Sequence, residues 1–172
     1  MPVRFSQTGG AAGLFRRIRA KLSAGRFRRA VVSAVILPRT AACFDGRLEL
    51  QLPADFRVRV HETDKTVFAG SKSGLRLTVM RMPFQAPLFR LKAEELAAAF
   101  PQSGGALPVL QRGFLRRSPT LTASWESAVL YLIQVRGTLY LLLMTEITAQ
   151  NREAVLPVFA SARVRPEANQ KP

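Results

Sequence analysis

His61 is the only histidine among 172 residues, and Cys43 is the only cysteine. Any Ser-His-Asp or Cys-His arrangement for nucleophilic catalysis would therefore have to run through His61. It opens the run His61-Glu62-Thr63-Asp64-Lys65, in which one imidazole and two nearby carboxylates could form a metal half-site. Five consecutive polar residues between apolar stretches read more simply as a solvated loop. Cys43 has no electropositive motif around it beyond the general basicity of the region, and reads as an ordinary thiol. A lone cysteine also excludes an intrachain disulfide framework and a multi-cysteine zinc site. No G-x-S-x-G, P-loop or G-x-G-x-x-G occurs, and Gly104-Gly105 lacks the Lys-Ser/Thr or helix start that phosphate binding requires. Glu94 and Glu95 are adjacent on a helical stretch and do not face one another, while Glu126, Glu146 and Glu153 are scattered. The expectation is a non-enzymatic chain with no catalytic residue, no cofactor, no metal ligand and no small-molecule substrate.

Positive charge is the other chemistry on offer. The formal net charge is +15, and the first 44 residues hold nine of the 26 Lys and Arg and none of the 11 Asp and Glu. This describes a basic arm, residues 1–43, on a mildly basic domain. Residues 1–13 are small, polar and glycine-bearing, and are expected to be disordered. Leu14, Ile18 and Leu22 then recur every four residues with Arg16, Arg17, Arg19 and Lys21 between them, a basic amphipathic helix pattern. Gly25 interrupts it, and Arg26, Arg28 and Arg29 follow. These seven cations are the candidate polyanion-binding residues.

Three readings of the arm remain open. It is a solvated segment leading into a first strand, or a surface helix for an anionic membrane or a nucleic-acid backbone, or a signal sequence. In the second, the apolar stripe would favour anionic vesicles over polynucleotide. In the third, residues 26–43 combine basic residues, the apolar run Ala30–Leu37 and a Thr40-Ala41-Ala42-Cys43 box, which would anchor the chain to the cell envelope through Cys43. Arg39 and Thr40 fit that box poorly, and a cytoplasmic protein is the expectation. Phe15 and Phe27 among the arginines would permit base stacking, but the arm has no Tyr or Trp and the chain no nucleic-acid motif. Arg112, Arg116 and Arg117 read as solvated charge at a hairpin turn. In all three readings Leu14 and Ile18 lie outside the core of the domain.

The elements that position these groups are clearest at Ser127–Ile147. Val129, Tyr131, Ile133 and Val135 alternate with Leu130, Leu132 and Gln134, and beyond Arg136-Gly137 Leu139, Leu141 and Leu143 alternate with Tyr140, Leu142 and Met144. Both phases of a period-two pattern are apolar, which predicts a hairpin in a sheet covered on both faces. The run is long enough to span a bilayer as a helix, but a charge and a glycine at its centre oppose that. Before it, Leu48–Leu52, Phe56–Val60, Val67–Ala69 and Leu75–Met82 read as strands, and Lys92–Phe100 as a helix stopped by Pro101. Val109–Leu115 and Thr120–Trp125 are further strands, with Trp125 in the phase of Leu121 and Ala123 and hence in the core. After the hairpin, Val155, Val158, Phe159 and Ala162 give a helical stripe over Asn151–Arg165, with Asn151 as its cap and Pro157 delaying or kinking it.

This order, with LELQLPADFRV, VFAGSKSGLRLTVMRMPF, the long hairpin and a closing helix ending in SARV, resembles the PsbP/Mog-like domains. These include photosystem II extrinsic subunits, small Ran-GTPase-binding proteins and many bacterial proteins of unassigned function. The resemblance covers about residues 45–166 and rests on element order rather than on a catalytic motif. It implies an α+β fold, an antiparallel sheet sandwiched between helices (an α/β/α sandwich), over residues 44–166, with a polar tail at 167–172. It implies no shared activity, since such a fold hosts unrelated binding roles. The function expected is that of a protein-interaction or accessory module with an unknown protein partner, and the alternative is a basic arm that binds an anionic membrane surface or nucleic acid.

Overall fold

An apolar residue at nearly every position of both halves of the hairpin demands a sheet with two covered faces. The computed structural model, which describes residues 11–23, 40–100 and 104–165, shows how the chain supplies them. The first helix is α1 (Ala11–Ser23), followed by strands β1 (Thr40–Cys43), β2 (Leu48–Gln51), β3 (Phe56–Glu62), β4 (Lys65–Gly70) and β5 (Arg76–Pro83). Helix α2 (Ala93–Ala99) precedes β6 (Val109–Leu115), β7 (Ser118–Ser124), β8 (Val129–Val135) and β9 (Thr138–Thr145). Helix α3 (Val155–Ala160) and the short strand β10 (Arg163–Val164) complete the described chain. Seven strands form one antiparallel sheet in the order β3-β4-β5-β9-β8-β7-β6, and β1-β2-β10 form a smaller one.

The central hairpin stands as the alternation predicts. Val135 faces Thr138 across the two-residue turn Arg136-Gly137, whose φ angles of 44° and 77° match the right-handed twist of the flanking strands. No described helix is long and apolar enough to cross a membrane. Strand β9 lies near the middle of the sheet, and its two phases enter different cores. Tyr140, Leu142 and Met144 join Leu77, Val79 and Phe68 on one face, where α3 and the small sheet contribute Val155, Phe159, Leu48 and Leu50. Leu139, Leu141 and Leu143 join Met80, Leu121 and Leu132 on the other, under Leu96 and Phe100 from α2 and its C-terminal end. The result is an α+β sandwich with the antiparallel sheet between helices, and the small sheet shares one face with α3.

Helix α1 also covers that second face, which corrects the reading of residues 1–43 as an arm outside the domain. Leu14 is 0% and Ile18 is 1% exposed, both inside the second core, with Phe15 and Leu22 packed against it. Lys65 Nζ donates to the Lys21 carbonyl oxygen at 2.8 Å, setting a cation at the C-terminal end of α1 where the helix dipole favours it. The stripe Leu14-Ile18-Leu22 is thus the inner face of a covering helix. Strand β1, also assigned to the arm, pairs with β2 from Thr40↔Gln51 to Cys43↔Leu48. Of the segment read as a signal sequence, residues 26–39 lie outside the described residues.

Smaller differences have local causes. His61 and Glu62 belong to β3 rather than to a loop, because the ladder to β4 continues through His61↔Thr66 and Glu62↔Lys65 and leaves only Thr63-Asp64 to turn. A 3-10 turn at Arg152–Ala154 precedes α3, so Pro157 falls in the first turn of the helix, where its missing N–H removes no helical bond. Asn151 does not cap that helix. Its side chain instead accepts from the Thr148 N–H at 2.7 Å and donates to the Ser73 and Glu146 carbonyls at 2.8 and 3.0 Å, tying the connection after β9 to the one between β4 and β5.

Burial of α1 sets an expectation that the arm reading reverses. Leu14→Ala or Ile18→Ala should cost about 2–4 kcal/mol, the same order as Leu132→Ala or Leu141→Ala, whereas Arg16→Ala should lie within about 0.5 kcal/mol of the parent. Chemical denaturation of the five variants measures this, and unchanged stability of Leu14→Ala would detach α1 from the core.

Cys43 is 1% exposed in β1, and burial pushes its thiol up to about 12 from an ordinary 9.0. The unfolded chain therefore ionises this thiol first, at about pH 9, and the stability that the neutral buried thiol contributes is full below that pH. It should fall by about 1.4 kcal/mol per pH unit between pH 9 and 12. Comparing denaturation of the parent and Cys43→Ala across this range isolates the slope: the parent should lose this increment relative to the variant, and parallel curves would show that the thiol ionises equally in both states.

Candidate anion-binding cleft

The residues singled out for catalysis are not brought together. His61 is exposed on the edge strand β3, with Nδ1 3.2 Å from Thr66 Oγ1, and the nearby Asp64 carboxylate is held by Arg81 at 3.2 Å. Among the described residues no group of three or more His, Cys, Asp or Glu side chains could hold a metal ion. Trp125 is in the core, as its phase predicts, with its ring N–H donating to the Ala106 carbonyl at 2.9 Å. A depression at Asp55, Arg57 and Lys72 is structural in character: Asp55 Oδ2 accepts from the Lys72 and Ser73 N–H groups at 2.9 and 3.0 Å and from the Ser73 hydroxyl. Burial is the largest single influence and disfavours the charged Asp55 carboxylate, but the hydrogen bonds together outweigh it and hold its pKa below the ordinary value. Gly70 makes the approach possible, since a Cβ there would lie 2.8 Å from Asp55 Oδ2.

The candidate polyanion residues divide into three sets. Arg16, Arg17 and Arg19 are exposed on α1 and Lys21 is half-buried, while Arg26, Arg28 and Arg29 lie outside the described residues. Because the apolar face of α1 is buried in the second core, no stripe is left to enter a bilayer, and the ground for favouring vesicles over polynucleotide is gone. Exposed cations on α1 offer a flat positive surface only.

Another group of arginines is concentrated around a cleft of about 1150 Å³ at one end of the sandwich. One wall is made by two hairpin tips. The β6–β7 turn presents Arg116 and Arg117, and the β8–β9 turn presents Arg136. Both turns require a positive φ at their first residue, 57° at Arg116 and 44° at Arg136. Strand order sets β7 beside β8, so the two antiparallel hairpins turn at the same end of the sheet and their tips lie side by side. The opposite wall is the chain from the end of α3 through β10, with Arg163 and Arg165.

Hydrogen bonds fix the second wall. Gln51 N–H donates to the Ser161 hydroxyl at 2.9 Å, and Arg165 N–H donates to the Arg47 carbonyl at 2.8 Å, so the segment is laced to β2 at both ends. Val164 packs toward the first core, which leaves Arg163 and Arg165 together on the other side of the strand. Leu115, Val135 and Pro119 give the cleft an apolar lining between the charged groups. Glu49 is the only acidic lining residue, and it is paired with Arg165. Five guanidinium groups, one of them paired with the single carboxylate, leave the cleft lining with an excess of positive charge.

Sequence reasoning reached Arg116 and Arg117 but took them as solvated loop charge, and it passed over Arg136, Arg163 and Arg165. One signal was available: two successive hairpins in a meander turn at the same end, and both turns carry arginine.

No protein-family model matches the chain, and no curated protein matches it. Solved structures are similar to it. The solution structure of cyanobacterial PsbP (CyanoP) from Synechocystis sp. PCC 6803 has a TM-score of 0.54 and 13% identity, over 80% of this chain and 99% of that one. A crystal structure from Bacteroides thetaiotaomicron VPI-5482 has a TM-score of 0.50 and 9% identity, over 78% of this chain and 51% of that one, so the chain spans about half of it. Likeness at these identities concerns the fold alone. Two cores, one antiparallel sheet between them and helices outside make this a PsbP-like fold.

Proposed function

We propose that this chain is a non-enzymatic interaction module, an accessory protein that binds an acidic partner protein. The observation that carries this reading is the cleft itself, whose charged lining residues are five arginines and a single paired carboxylate. Hydrolytic or transfer chemistry would need an activated nucleophile there, and the lining serines, Ser118 and Ser161, have no His, Lys or unpaired acid among the lining residues to activate them. Guanidinium groups instead bind, orient and desolvate carboxylates, often with two parallel hydrogen bonds. In keeping with the Mog-like side of the resemblance, the module engages a protein through its surface and transforms no substrate. The same reading takes the chain as cytoplasmic, supported by Cys43, whose thiol would have to leave the first core to carry a lipid.

A second reading rests on a separate observation, the exposed Arg16, Arg17 and Arg19 of α1. These form a flat basic surface that would bind membrane headgroups or a nucleic-acid backbone without sequence preference.

Site-specific photocrosslinking of the full chain in cells discriminates the two. With the crosslinker at Arg117 on the cleft rim, protein adducts are expected, and with the crosslinker at Arg17 few. Lipid or nucleic-acid adducts concentrated at Arg17 would favour the second reading, and absence of adducts at both positions would remove the interaction module altogether.

A further inference from the structure

Resting on the reading of the cleft as an interaction site, we infer that its ligand is an extended acidic peptide segment, seated alongside β10 with alternate carboxylates facing the arginines. Three features select this ligand class over other anions. The first is spacing. Arg163 and Arg165 stand two residues apart on an extended chain, hence roughly 6.5–7 Å apart along it, which is the repeat of same-side side chains in an extended peptide. A ligand strand with an acid at every second position matches that repeat, with Arg165 shared between the ligand and Glu49.

The second feature is an open backbone edge. Among the described residues strand β10 is the outermost strand of the small sheet and pairs with β2 alone, through Arg163↔Glu49 and Val164↔Leu48. Donation from the Arg165 N–H to Arg47 fixes the ladder's alternation, so the N–H and C=O of Val164 are turned away from β2 toward the open edge. A peptide main chain can pair with both groups at once, whereas a phosphate can accept from the N–H and leaves the C=O without a partner.

The third is what the lining lacks. Grooves for single-stranded nucleic acid combine positive charge with aromatic platforms for the bases, whereas Leu115, Pro119 and Val135 supply aliphatic surface and the lining residues include no aromatic side chain. Aliphatic lining between guanidinium groups suits the backbone and small side chains of a peptide. The hairpin-tip arginines Arg116, Arg117 and Arg136 then close on carboxylates from the side opposite β10.

The test uses the full chain and a short fluorescent peptide alternating Glu with Thr, its counterpart alternating Gln with Thr, single-stranded oligo(dT), and phosphatidylserine vesicles. Two double variants remove equal charge from different places: Arg136→Gln with Arg163→Gln in the cleft, and Arg16→Gln with Arg17→Gln on α1. All four residues are exposed, and denaturation curves matching the parent confirm that each variant is folded. Anisotropy should show binding of the Glu peptide and none of the Gln peptide. The cleft variant should weaken it by about tenfold, one decade in Kd, while the α1 variant stays within about twofold. Equal weakening by both variants would reduce the effect to net charge and overturn the site. Tighter binding of oligo(dT) or vesicles than of the Glu peptide, lost in the cleft variant, would overturn the ligand class. No binding of the Glu peptide alongside protein adducts at Arg117 in cells would sink the acidic-peptide inference while leaving the interaction module standing.

Discussion

A β-strand apolar on both faces cannot be left with either face in water, and β9 imposes that constraint on the whole chain. Six consecutive positions of this strand, Leu139 to Met144, are buried. At about 25 cal/mol per Å² of apolar surface, exposing one face of such a sheet would exceed the net stability of an ordinary domain. Two covers are therefore obligatory, and the chain draws them from distant places. Helix α2 is too short to roof one face alone, and α1 from the N-terminal region completes it. On the other face the six-residue α3 is supplemented by a three-stranded sheet whose strands come from residues 40–43, 48–51 and 163–164.

The same demand explains which parts of the fold could be read in advance. The hairpin was legible because its signal is local and redundant: two filled phases, β-branched and aromatic residues, and a two-residue turn with glycine at its second position. The docking of α1 was not legible, although its amphipathic pattern was seen. Leu14, Ile18 and Leu22 state that one face is apolar, and a protein core, a bilayer and a partner satisfy that statement equally. Strong positive charge on the other face left a solvated arm and a surface for lipid or nucleic acid as the readings, when it is also what keeps the outside of a covering helix in water. Strands β1 and β10 are four and two residues long, too short for any periodicity to show.

Nor could the cleft have been assembled from local pattern. Its cations stand on two hairpin tips and on the segment after α3, separated by up to 49 residues in sequence, from Arg116 to Arg165. Arg116-Arg117 beside Pro119 looks like any solvated turn, and Arg136 is needed as a turn residue whether or not it binds anything. Arg163 and Arg165 lie in a basic stretch near the chain's end, with nothing local to mark their alternation as strand-like. What joins them is strand order, a non-local property. Conversely, the residues with the strongest chemical identity, His61 and Cys43, are not brought together, one lying on an exposed edge and one sealed in a core.

Placement of the cleft ties its occupancy to the architecture. One wall belongs to the seven-stranded sheet and the other to the small sheet, so an anion held between Arg136 and Arg163 would bridge the two layers. In the free protein the five guanidinium groups repel one another across that gap, with Glu49 neutralising part of the charge at one end and water screening the rest. An acidic ligand would replace that repulsion with charge-assisted hydrogen bonds in a partly desolvated space, where they are stronger than at an open surface. Mutual repulsion in the empty state and attraction in the filled one act in the same direction, because both lower the free energy of the bound form relative to the free form. A flat basic surface such as that of α1 has only the weaker half of this arrangement: its cations are spread over a helix already committed to the core, and water remains on every other side.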